Sequence, residues 1–298
     1  MTIRFDFVGD HRTLLGESPL WDGRAAKLWW VDIVAPRICR ANADGGDLET
    51  WEAPSTVGSI VLAEKGLLAA LADGFYAFDP GSGAFAPIAR PDLDPGVRFN
   101  DGKADRQGRF LSGTMRDGSA EGAPGKLYRL EHDGSTSLIE SGIAVSNALC
   151  FSPSGDTLYF ADSLAKSIWA YDYDGSSGAV TRRRTLIDAD TLGTIADGAT
   201  VAADGTLWVA LVQAQQLAHI SPDGALIEKI DLPLPYPSCP AFGGADLATL
   251  FVTSISNSGG LFKSDHPNAG RILAITGHGA TGLPESRCPL PLAVGANS

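Results

Sequence analysis

The chain is 298 residues long, 44% hydrophobic, with a formal net charge of −12 at pH 7. It holds enough apolar residues to bury one sizeable core and no linker interrupts it, so a single domain over residues 1–298 is expected. The acidic balance repels phosphate backbones and anionic lipids, which excludes nucleic acid and membranes as general partners and leaves small molecules and metal cations.

At the amino terminus, Ile3-Arg4-Phe5-Asp6-Phe7 alternates as a strand does and lacks the apolar core of a signal peptide. No later apolar run reaches membrane-spanning length, so a soluble cytoplasmic protein is the expectation. A first repeat runs from Glu17 to Trp21, turns at Asp22-Gly23, returns over 28–33 and adds a strand at 37–40. A second covers 59–62, a turn at Lys65-Gly66, 67–71 and 74–79. The third starts at Asn100, turns at Gln107-Gly108, and ends with 126–130; a longer loop, 115–125, lies between its strands. The fourth starts at Asn147, turns at Ser154-Gly155 and includes 168–173. The fifth starts at Asp197, turns at Asp204-Gly205 and continues through 217–220. The sixth starts near Ser238, turns at Gly243-Gly244, and is read as strands at 250–253, 260–262 and 271–275.

In the third, fourth and fifth repeats the turn glycine follows the head residue by roughly eight residues, the span of two short strands around a turn. Six such units of about forty to fifty residues, each of four short strands, predict an all-β fold, a six-bladed propeller with four-stranded antiparallel blades. Ring closure then assigns the amino-terminal strand 3–7 to the last blade, where it removes an exposed edge. The Gly- and Pro-containing tail after about residue 277 is expected to be loosely packed.

The first strand of each blade lines the central channel, so the head residues Glu17, Asn100, Asn147 and Asp197 should converge at one mouth. Two carboxylates and two amides facing one another make a hard, oxygen-rich site suited to a divalent cation. Isolated Asn and Asp residues commonly cap turns, but four in equivalent repeat positions share a purpose beyond that.

The motifs Gly16-Glu17-Ser18-Pro19-Leu20-Trp21, Arg98-Phe99-Asn100-Asp101-Gly102-Lys103, Gly113-Thr114-Met115, Ser146-Asn147-Ala148-Leu149, Ala161-Asp162-Ser163, Asp197-Gly198 and 239–244, taken in order, resemble the gluconolactonase/regucalcin family of sugar lactonases. The resemblance implies one catalytic divalent metal held by Glu17, Asn147 and Asp197, with calcium, zinc, manganese, magnesium and iron(II) all admissible. It implies that Arg98 and Asn100 bind a sugar-lactone substrate, with Glu121 as a further substrate-binding acid. One departure is Ala148, where many members carry Gly, a difference that matters only if the backbone there needs positive φ. Three protein ligands leave positions for water and substrate, and Asp197 beside that water is the candidate general base. The alternatives are a calcium-binding regulatory protein and a calcium-dependent aryl-ester or phosphotriester hydrolase. Oligomeric state is left open.

Around the third blade, Lys103, Arg109, Arg116 and Lys126 form a local basic excess that would hold an anionic substituent if two or more faced the mouth. Trp21, Trp29, Trp30, Trp169 and Trp208 fall on strand runs and are expected to pack between blades. The four cysteines are scattered, without a Cys-x-x-Cys pair, and are expected to be reduced and buried.

Overall fold

The structure, a computed structural model, describes residues 2–117 and 124–290. It contains six four-stranded antiparallel sheets arranged as a six-bladed propeller. Blade one is built from Gly16–Asp22, Lys27–Asp32, Arg37–Ala41 and Glu49–Glu52, and blade two from Val57–Leu62, Leu67–Leu71, Gly74–Asp79 and Ala84–Ala89. Blade three uses Val97–Ala104, Phe110–Arg116, Gly125–Leu130 and Thr136–Ile143; blade four uses Ser146–Phe151, Thr157–Asp162, Ser167–Tyr173 and Val180–Asp188. Blade five comprises Ala199–Val201, Leu207–Leu211, Gln216–Ile220 and Leu226–Asp231. A four-residue helix, Ala189–Leu192, joins blades four and five, its first turn capped by Asp188, whose carboxylate accepts from the Thr191 amide at 2.9 Å.

Blade six is closed by both ends of the chain. Pro237–Gly243, Thr249–Ser254 and Leu273–Thr276 supply three strands, and Arg4–Phe7 adds the fourth, with Phe5 opposite Ile275 and Phe7 opposite Leu273. Residues 260–262, read from the sequence as a strand, instead lie in a turn above the channel. The Asn257 side chain accepts from the Gly259 amide at 3.0 Å, Gly259 takes φ +75°, and the chain folds back so that Ser258 N donates to Phe262 O at 2.8 Å.

The hairpin turns follow from the polar residues that begin them. Asp204 accepts from the Thr206 amide and hydroxyl at 3.0 and 2.7 Å, and Gly205 follows at φ +90°, a conformation that would strain any side chain. Packing between blades is aromatic. Phe75 of blade two meets Phe99 and Phe110 of blade three at 4.8 and 5.3 Å between ring centres, and Trp21 stacks on Phe251 between blades one and six at 5.8 Å. Trp21, Trp29, Trp30 and Trp208 are buried, as are all four cysteines, which are free thiols.

The carboxyl-terminal segment departs from the loose packing expected of it. Residues 278–290 run back under the ring: Cys288 donates its amide to Leu62 O at 2.8 Å and accepts from Glu64 N at 3.0 Å, and Ala203 N donates to Thr281 O at 2.7 Å. Glu285 pairs with Lys103 at 2.5 Å, and Cys288 is fully buried. Apolar burial and strand-like backbone pairing therefore hold a segment whose glycines and prolines read as loose. Among the described residues, no helix is long and apolar enough to cross a membrane.

Candidate functional site

The inner strands of blades one, two, three, four and six each carry a β-bulge; in blades one and four it directly follows the head residue, and in blade three the head residue Asn100 lies within it. A bulge inserts an unpaired residue and re-aims the side chains beside it. In blade one the irregularity lies between Glu17 and Leu20, with Ser18 at φ +49°; in blade four it lies between Asn147 and Cys150, with Ala148 at φ +51°. Asp197 stands just ahead of its strand, where the Gly198 amide donates to Ser238 O at 2.7 Å. A Cβ on Gly198 would lie 2.4 Å from Cys239 Sγ, so only glycine allows blades five and six to approach there.

Glu17, Arg98, Asn100, Asn147 and Asp197 line one cavity of about 760 Å³ at the channel mouth. Glu121 lies outside the described residues. Arg98 donates from Nη1 to Phe99 O at 2.9 Å and to Asn100 Oδ1 at 3.0 Å, and from Nε to Asp117 at 3.2 Å. Asn100 in turn donates from Nδ2 to Ser146 O at 2.9 Å and to Asn147 Oδ1 at 3.1 Å. Asn147 passes the chain on, donating from Nδ2 to Ser163 Oγ at 2.9 Å, and Ser163 donates to Ala196 O at 2.8 Å beside Asp197. Ser163 and Asp117 had no role assigned from the sequence. The position of Ser163 just after the second strand of blade four was visible in the Ala161-Asp162-Ser163 motif, whereas nothing local marks Asp117.

Two buried carboxylates repel each other at this mouth. Burial, then the charges of Asp197 and Asp101, hold the Glu17 carboxyl well above its usual range, and burial followed by Asp101 does the same to Asp197. Asp101 is pushed up to about 6 by burial, although both its oxygens are occupied, by the Gly102 amide at 2.8 Å and the Leu149 amide at 2.9 Å. It braces blade three against blade four. Glu17 Oε2 accepts from the Ser18 amide at 2.9 Å, the Cys239 thiol lies against the same carboxyl, and among the described residues no protein donor bonds the Asp197 carboxylate. Two carboxylates beside an oriented amide oxygen fit a hard divalent cation. Among the described residues no cluster of three His, Cys, Asp or Glu side chains has metal-binding form; the set here is two acids and Asn147.

The basic residues of blade three do not gather at this mouth. Lys103 pairs with Glu285, Arg109 with Asp105 at 2.7 Å, and Lys126 with Asp94 at 3.0 Å, while Arg116 is exposed and outside the lining, so among the described residues Arg98 is the cation that lines the cavity. The ion pairs satisfy charges that the sequence left free to point inward, and the anionic-substituent expectation loses its support.

Comparison with known proteins identifies the family. The chain is 33% identical over 302 residues to regucalcin of Gallus gallus, covering 98% of this chain and 99% of that one. It is 35% identical over 285 residues to L-arabinolactonase of Azospirillum brasilense, covering 91% of each. Its fold superimposes on a crystal structure of regucalcin from Agrobacterium tumefaciens, described as a calcium-binding protein, with a TM-score of 0.87 and 27% identity over 95% of this chain and 97% of that one. With residues 15–256 matching the SMP-30/Gluconolactonase/LRE-like region, the chain belongs to that family.

Proposed function

We propose that the protein is a carboxylic-ester hydrolase that opens a sugar lactone to the corresponding sugar acid, with one divalent metal cation held by Glu17, Asn147 and Asp197. The observation that carries this reading is the convergence of those three oxygen donors, from blades one, four and five, in the same open cavity as Arg98 and Asn100. Relatives named as lactonases, L-arabinolactonase among them, support the reaction class. A divalent cation there supplies Lewis acidity toward the lactone carbonyl and neutralises the two carboxylates.

The chain's own residues do the rest. Asp197 offers a carboxylate oxygen free of protein donors, so it can take a proton from the attacking water and return it to the departing ring oxygen; lactone and water become one hydroxy acid. Arg98 is anchored through Nε and Nη1, and its Nη2, without a partner among the described residues, can donate to a substrate oxygen. Asn100 is held on both sides and fixes where that oxygen sits. An open cavity over the donor set favours turnover above a purely calcium-storing role, because a storage site gains nothing from 760 Å³ of access. Acid release from a panel of five- and six-membered aldonolactones, followed by pH-stat, tests the reading: at least one lactone should be opened well above its spontaneous rate, and no acceleration with any member of the panel would sink it.

A further inference from the structure

The hydrogen bonds inside the mouth leave few partners for a polyhydroxylated tail. Both Nη1 hydrogens of Arg98 and both amide hydrogens of Asn100 are already donated within the protein, and Ser163 both accepts from Asn147 and donates to Ala196. Among the described residues, what remains uncommitted in the cavity shared with Asp197 is Arg98 Nη2 and a lone pair on Asn100, enough to orient a lactone ring.

Away from that base the lining changes character. Val145, Ile195, Val212 and Ile255 form the walls, and two leucines stand at the rim, Leu164 at 65% exposure and Leu261 at 77%. Asp117 and Ser258 are the polar side chains of this outer part among the described residues; Asp117 accepts from Arg98 through Oδ1, and Ser258 Oγ accepts from the Phe262 amide at 3.0 Å, so polar contact is confined to these two points while the walls between them are apolar. Leu261 is presented by the tight turn that Ser258 and Phe262 close, and Phe262 is packed on Tyr236 at 5.2 Å between ring centres. Leucines held out in solvent at the edge of a cavity mark a surface made to be covered.

We propose that the preferred substrate is a sugar lactone whose exocyclic end is apolar, a deoxy or alkyl-substituted lactone rather than one ending in a hydroxymethyl group. This deepens, and rests on, the lactonase reading above. An exocyclic hydroxyl set against Val145, Ile195, Val212 and Ile255 loses water and finds no partner on those side chains, whereas a methyl or alkyl group gains from burial there.

Steady-state kinetics on 1,4-lactones with the same ring hydroxyls and different exocyclic groups tests this. Replacing hydroxymethyl by methyl should raise kcat/KM about tenfold. Each further methylene should add about three- to fourfold until the rim is reached. Leu261→Ser and Leu164→Ser, both at exposed positions where folding is insensitive to the change, should flatten that slope, the loss growing with tail length. Preference for the hydroxymethyl lactone, or a flat response along the alkyl series, overturns the inference while lactone hydrolysis stands. No turnover of any lactone, with any added divalent cation, overturns the reading beneath it.

Discussion

Asn100 donates from Nδ2 to Oδ1 of Asn147 at 3.1 Å, a side-chain bond across the seam between blades three and four. Because Asn147 Nδ2 is tied to Ser163 at the same time, the amide of Asn147 has one orientation, with its oxygen held on the Asn100 side of the shared cavity. Removing the partner of a liganding group typically costs about 10- to 100-fold in metal affinity. Asn100→Ala should weaken divalent-cation binding by that factor in isothermal titration, and an unchanged Kd would show that Asn147 needs no such support.

Ala148 sits at φ +51° and is fully buried. The left-handed conformation costs an Ala roughly 1–2 kcal/mol. Glycine would relieve that strain, lose about 0.8 kcal/mol of methyl burial, and add about 0.5–1 kcal/mol of unfolded-state entropy. The terms nearly cancel. Ala148→Gly should therefore change stability by less than about 1 kcal/mol in urea unfolding, whereas Ala148→Val, β-branched at positive φ, should lose about 3 kcal/mol or more. A large gain from Ala148→Gly would mean that the bulge is more strained than its φ implies.

Lys103 and Glu285 form a largely buried ion pair, their side chains 17% and 11% exposed, that ties the carboxyl-terminal segment under the ring. Truncating one partner strands the other charge, at about 3–5 kcal/mol. Glu285→Ala should lose about that much, and the double variant with Lys103→Met should recover most of it. Thermal melts that show the two losses simply adding would contradict a coupled pair.

The carboxylates at the mouth give the metal-free protein an unusual pH response. Asp101 is raised to about 6, against about 3.9 for an unfolded aspartate, and Glu17 and Asp197 shift the same way. Over that interval the native state holds more protons than the unfolded chain, so stability falls as pH rises from about 4 toward 6. The metal-stripped protein should melt at lower temperature at pH 6.5 than at pH 4.5, and saturating divalent cation should close the gap at the higher pH by binding the folded form alone. A stripped Tm that climbs steadily across this range would contradict the cluster's electrostatics.

The sequence made the architecture legible because each blade repeats a polar head, a short strand and a glycine turn, and the constraint on Gly205 is local to its turn. It also named Glu17, Arg98, Asn100, Asn147 and Asp197, which the fold brings to one cavity. Features that depend on distant partners were illegible. Residues 260–262 carry strand-like Leu and Phe, but Asn257 and Gly259 bend them into a turn. Lys103 reads as a free cation until Glu285, far along the chain, is placed beside it. The packing of Cys288 against Leu62 has no signal in a segment of glycines and prolines.

The measurement that tests the account most directly is the initial rate of aldonolactone opening by metal-stripped protein, before and after divalent cation is returned, for the wild type and for Asp197→Ala. Stripping should abolish turnover, re-addition should restore it, and folded Asp197→Ala should stay about 10²- to 10⁴-fold slower with metal present. Full activity in the stripped protein, or an Asp197→Ala rate close to wild type, would contradict the account.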